Sequence, residues 1–215
     1  MKGMFTGFDP QKIKTTLNTI ESAYGEIHNA TKVYIQDGFI LGMKDKWACN
    51  EAQVFFAQVV KPQFDEIIAK VNKNFTVITE GINAAAQIWA AETRSEYSKT
   101  NLTVINTTID VSMIQENING TRGIDKNAAL GLTNKIKLFQ NAAEEALSKA
   151  QNAISGSGLF GGAQEQNLYN ALGMNKSVIN DYIVAMNNSL NKAISDTVSS
   201  YGDAEGRISQ AFNVQ

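Results

Sequence analysis

Apolar residues recur every three or four positions along most of this chain, the spacing that gathers them on one face of an α-helix. Asp9-Pro10 reads as a cap followed by a residue suited to a first helical turn, and Ile13, Leu17, Ile20, Tyr24, Ile27, Thr31 and Tyr34 then form one stripe. A helix of about seven turns is predicted, loosened by Asp37-Gly38 and Gly42 before a turn at Trp47. The cleanest stripe comprises Phe64, Ile68, Val71, Phe75, Ile78, Ile82, Ala85 and Trp89, a helix-packing seam that calls for a partner helix along its length. Pro62 lacks a backbone donor, so it bends this second helix or separates a short helix beginning near Asn50.

A third stripe starts from Asp125 and runs through Ala129, Leu132, Ile136, Phe139, Ala143, Ala146, Ala150 and Ala153, where smaller residues permit closer helix approach. Ser155-Gly156-Ser157-Gly158 ends it, and a last helix is expected from near Ala163 to about Tyr201 or beyond. The connector, residues 94–122, is rich in Thr and Asn and carries Ile105, Ile109, Met113 and Ile118 near helical spacing, which predicts partial helix. Its run from Thr103 to Val111 also suits an extended strand, because β-branched residues favour strand over helix.

The pattern is written twice. Gly7-Phe8-Asp9, Asn18 and Ile20 match Gly123-Ile124-Asp125, Asn134 and Ile136 at an offset of 116. Trp47 matches Phe160 at 113, and Lys61, Phe64, Ile68, Val71 and Phe75 match Lys176, Ile179, Ile183, Met186 and Leu190 at 115. The expected architecture is all-α: two helical hairpins, residues 1–93 and 123–215, forming an antiparallel four-helix bundle joined by the partly helical connector. A long connector is what antiparallel packing of the hairpins requires, since the chain must return along the bundle. The same packing lays the turn at Trp47 beside the tail near Tyr201.

Composition narrows the function. With 215 residues and a hydrophobic fraction of 43%, the chain can bury a substantial core. A net charge of -2 supplies no basic face, so no nucleic-acid partner is expected. One cysteine allows no internal disulfide, and with a single histidine no metal site of the Cys/His type is expected. The N-terminus lacks the apolar core of a secretory signal, and no run reaches the length of a membrane span. Export would therefore need a dedicated route. His28 has no Cys or acid cluster beside it, and Cys49 has no histidine partner in sequence, so neither reads as a catalytic group. Residues 156–162 lie between helices and lack the lysine of a phosphate loop. No enzyme activity, cofactor or small-molecule substrate is expected.

A helix of about forty residues, the turn Trp47-Ala48-Cys49, then Glu51-Ala52, Phe55-Phe56 and a heptad helix together resemble the WXG family of small helical hairpins exported by type VII secretion systems. The second half has Phe160-Gly161-Gly162 at the matching turn. Cys49 stands where that family has glycine, and Phe160 where it has tryptophan, while Gly162 keeps the glycine. Family members carry a Tyr-x-x-x-acid signal after the second helix, and Tyr201 with Glu205 occupies that place here; no other of the six tyrosines has an acid four residues on. The resemblance implies a fused pair whose export signal is composite, built from Trp47, Cys49, Tyr201 and Glu205. It implies a bacterial protein made in the cytoplasm and secreted or displayed without a signal peptide. Its partners would be the secretion machinery, another helical protein or a larger toxin, with a homodimer also open. The alternative reading is a self-assembling or membrane-active helical protein, such as a pore-forming component, a flagellin-like subunit or a phage structural subunit.

Overall fold

The structure, a computed structural model, describes residues 9–155 and 163–212. It is all-α apart from one two-residue ladder. The elements are α1 (Pro10–Ala30), a π-helical stretch Thr31–Ile40, α2 (Leu41–Met43), β1 (Trp47–Ala48), α3 (Asn50–Phe55), a second π-helical stretch Phe56–Val60, α4 (Lys61–Thr93), β2 (Gly123–Ile124), α5 (Lys126–Ile154) and α6 (Ala163–Phe212). Both expected caps form. Asp9 Oδ1 accepts from the amides of Gln11 and Lys12 at 3.0 and 3.1 Å, and Asp125 Oδ1 accepts from Ala128 at 3.0 Å.

Two helix features refine the expectation. The first helix continues to Met43, and its loosening takes the form of a wider π-helical winding over residues 31–40, Asp37-Gly38 included. Glycine serves close packing there: a Cβ on Gly42 would stand 2.7 Å from Leu132 Cδ2. The expected short helix does begin at Asn50, as α3, and the π-helical stretch Phe56–Val60 separates it from α4. Pro62 sits in the first turn of α4, directly after that stretch, whose wider winding relieves the missing donor and the clash of its ring with the preceding turn.

The chain divides into two compact units, each drawing on several elements. The first takes residues 1–30, 66–107 and 140–180. Its core includes Ile13, Leu17, Ile20, Ile27, Ile68, Val71, Phe75, Ile78 and Ile82, with Ala143, Ala146, Leu147 and Ala150 from α5. Trp89, expected on the same seam, is only half-buried, and Ala86 and Ala90 take the inner positions of that turn. Thr16 Oγ1 donates to the Ala153 carbonyl at 3.3 Å, Lys149 pairs with Glu26, and Lys176 Nζ reaches Ser148 Oγ at 3.3 Å, tying α1 to α5 and α5 to α6.

The second unit takes residues 31–65, 108–139 and 181–215. Phe39, Phe56, Phe64 and Phe139 are fully buried in it, with Phe39 and Phe56 stacked at 5.6 Å and Phe64 meeting Phe139 edge-on at 5.7 Å. Ile183, Met186, Leu190 and Ile194 complete its core from α6.

The connector contains no helix among residues 95–122, correcting the expectation of partial helicity. From Ile105 to Met113 its burial alternates residue by residue, the pattern of an extended strand. Ile105, Ile109 and Met113 are four residues apart, and a spacing of four fits a period of two as well as it fits a helix. Without a neighbouring strand, the connector's backbone groups bond to side chains instead. In the first unit Asn83 takes both groups of Thr100, accepting from its amide at 3.1 Å and donating to its carbonyl at 2.8 Å, while Tyr97 donates to Asn83 Oδ1 at 2.8 Å. In the second unit Gln36 treats Asp110 the same way, at 2.8 and 3.0 Å. Each side-chain amide stands in for a strand residue.

His28 belongs to this arrangement. It is 3% exposed, with Nε2 3.0 Å from Asn72 Oδ1 and Nδ1 2.7 Å from Thr107 Oγ1. An amide oxygen only accepts, so Nε2 carries the proton and Nδ1 accepts from the threonine hydroxyl. Tyr24 also donates to Asn72 Oδ1, at 2.8 Å, and accepts from the Ile105 amide at 2.9 Å. The ring is neutral in this network, and burial lowers its pKa below the ordinary value, a shift only partly offset by the Asn72 hydrogen bond.

Two outcomes are expected. Asn83→Ala should cost about 1–3 kcal/mol in denaturant unfolding and speed hydrogen exchange at the Thr100 amide, since it strands two half-buried backbone groups; unchanged exchange there would show the clamp to be idle. Because folding depresses the His28 pKa, its stability contribution is complete above the unfolded value of about 6.5 and is lost as the pH falls below it. His28→Gln should therefore flatten the stability-pH curve between roughly pH 7 and 5, and an identical acid slope in both proteins would refute this role.

Candidate functional site

The second unit carries a cavity of about 400 Å³ lined by Trp47, Glu51, Ala193, Asp196, Thr197, Ser200, Tyr201 and Ala204. Its first wall is built by backbone pairing. Trp47 pairs with Ile124 and Ala48 with Gly123 in the antiparallel β1-β2 ladder, and the Asp125 amide donates to the Lys46 carbonyl at 2.7 Å. A two-residue turn brings β2 into place: Asn119 and Gly120 have φ of 52° and 82°, and Ile118 and Thr121 exchange both backbone hydrogen bonds at 2.8 and 2.9 Å. That is the turn favoured by Asn-Gly.

Trp47 is fully buried, packed against Phe55 at 5.8 Å and Phe56 at 6.0 Å between ring centres. Among the described residues its indole Nε1 finds no hydrogen-bond acceptor. Cys49 is buried too, and its role is now clear: its backbone is extended, at φ -166° and ψ 170°, and its sulfur caps α3 by accepting from the Ala52 amide at 3.4 Å. No left-handed conformation is needed there, so the position does not call for glycine. Burial pushes the Cys49 thiol pKa up, and with no histidine against it nothing activates it as a nucleophile. Glu51 sits in the first turn of α3, where a carboxylate is favoured by the helix dipole.

The opposite wall is α6. Ala193, Thr197, Ser200 and Ala204 follow one another at steps of four, three and four, so they share a helix face, and their small side chains leave the space. Thr197 turns its hydroxyl back to the Ala193 carbonyl at 2.9 Å, and Asp196 pairs with Lys192. Tyr201 is partly buried, and its pKa is raised first by desolvation and then by Cys49 and Glu51 nearby, so the hydroxyl stays protonated and able to donate.

The structure thus brings three of the four residues expected to form a composite signal, Trp47, Cys49 and Tyr201, into one region of the second unit, with Trp47 and Tyr201 lining the same cavity. The Glu205 side chain, Phe160 and Gly162 lie outside what the structure describes. Sequence reading missed Ala193, Thr197, Ser200 and Ala204, whose signal was the small-residue stripe at helical steps, and Asp196 beside them. It also missed the Asn119-Gly120 turn that sets the ladder. No group of three or more His, Cys, Asp or Glu side chains among the described residues is placed to hold a metal.

Comparison with family models, with curated proteins and with solved structures finds no match for this chain.

Trp47→Ala should destabilise the protein by about 3–5 kcal/mol in denaturant unfolding, the usual cost of emptying a fully buried aromatic position. Tyr201→Ala, on a partly exposed rim, should cost markedly less. Equal losses would contradict the division between a packed wall and an open rim.

Proposed function

We propose that this chain is a non-enzymatic helical interaction protein that resembles type VII secreted substrates, or the escorts of larger secreted toxins. The observation that carries the reading is the meeting of Trp47 and Tyr201, remote in sequence, around one cavity of the second unit. A signal divided in this way exists only after folding, so a receptor responding to it would select folded cargo. Because Trp47 is fully buried, that receptor would meet the surface Trp47 shapes, namely Tyr201 and the α6 rim, rather than the indole itself.

The chain would then be made in a bacterial cytoplasm and leave by a route that needs no signal peptide, with the secretion machinery or a helical cargo protein as its partner. Cys49 would support the site through its cap, and Glu205 would complete the tail. The alternative, a self-assembling or membrane-active protein, gains no specific support: no helix among the described residues is long and apolar enough to cross a membrane.

The reading is tested by export from a bacterium with a working type VII system. Tyr201→Ala and, separately, Trp47→Phe should lower the secreted fraction while the cytoplasmic protein keeps its helical circular dichroism. Unchanged export of both variants would end this mechanism, and leakage from liposomes by the wild-type protein would favour the alternative.

A further inference from the structure

The outer face of α4 in the first unit carries exposed apolar residues that no other described residue covers. Val77 is 56% exposed and Ile88 66% exposed, and between them Gly81 and Ala84 are exposed and small. A Cβ placed on Gly81 would meet nothing within 4 Å, so the helix backbone itself is open to close approach. Lys73 stands one turn before Val77 and Glu92 one turn after Ile88, both exposed, and among the described residues neither side chain forms an ion pair or hydrogen bond.

These six residues follow at steps of four, four, three, four and four, which keeps them within about 100° of one another around the helix. The series reads the same in both directions: charged, branched apolar, small, small, branched apolar, charged. The two charges have opposite sign.

We infer that this face pairs with the same face of a second copy of the chain, antiparallel and about a two-fold axis beside Gly81 and Ala84. Such an axis sets Gly81 against Ala84 of the other copy, Val77 against its Ile88, and Lys73 against its Glu92. Every contact occurs twice. The small pair lets the helices close at the centre, the two branched pairs seal either side, and two ion pairs fix register and direction. A parallel arrangement would set Lys73 against Lys73 and Glu92 against Glu92. The position of Glu92 adds a second reason: it lies in the last turn of α4, where a carboxylate opposes the helix dipole and no basic residue of that turn offsets it. A lysine from the other copy supplies the missing cation. This surface is independent of the export reading, since none of its residues belongs to the cavity of the second unit.

One helix pair falls at the small end of specific interfaces, below about 1,200 Å² in total, so the dimer is expected to be weak, with a dissociation constant in the micromolar range or above. Sedimentation equilibrium of the full chain from about 1 µM to 1 mM should show the average mass rising from 23.4 kDa towards twice that value. Ile88→Glu, at an exposed position that leaves the fold intact, should hold the protein monomeric. Lys73→Glu and Glu92→Lys should each weaken association at least tenfold, and the two together should restore it. A monomer at every concentration, a dimer indifferent to Ile88→Glu, or a double variant no better than either single one would overturn the proposal.

Discussion

An extended segment with no strand beside it must still satisfy its backbone, and this requirement organises much of the molecule. Residues 95–117 form no helix and join no extended ladder, so the amides and carbonyls that face inward are met by Asn83, Tyr24 and Asn72 in the first unit and by Gln36 and Gln53 in the second. A side-chain amide carries a donor and an acceptor in the same geometry as a peptide group, which makes Asn and Gln the natural substitutes for a missing strand. The burial of a histidine follows from this arrangement: His28 occupies the centre of a network that cannot close unless each member holds one fixed hydrogen-bonding role.

The same reasoning explains the short β1-β2 ladder. Two residues per strand contribute little stability by themselves, yet the ladder fixes where α5 begins, because Asp125 both donates to Lys46 and caps α5. The turn at Trp47 and the start of the third long helix are thereby set by one local device in the second unit. Trp47 is held in a pocket of Phe55 and Phe56 as a consequence of that register, and the α6 face of small residues leaves the space beside it.

Much of this was legible in the sequence because helix stripes and caps are local. Pro10, Asp125, the seam from Phe64 to Ile82 and the end of the third helix near Ile154 were all readable from periodicity and capping chemistry. Trp89 was placed in the core because it continued the seam, but the inner positions of that turn pass to Ala86 and Ala90 as a straight 3.6-residue helix drifts from a strict heptad. The connector failed for a different reason. Its isoleucines recur every four residues, a distance common to both periods, and the deciding partners, Asn83 and Gln36, lie far away in the chain. The cavity was half legible: spacing brought Trp47 to Tyr201, while the void itself depends on small residues that no apolar pattern marks.

The burial of Trp47 bears on what kind of recognition the cavity could support. A fully buried indole whose N–H meets no acceptor in good geometry among the described residues contributes chiefly shape and hydrophobic area. The indole offers no solvent-exposed surface, so specificity would rest on the other lining groups: the protonated Tyr201 hydroxyl, Glu51, Asp196 and Ser200. Two of these are carboxylates, and Asp196 already holds Lys192. With Lys192 on Asp196 and the Arg122 charge acting on Tyr201, the rim carries both signs, and Glu51 is the carboxylate there best placed to accept from a hydrogen-bond donor standing beside the small residues of α6.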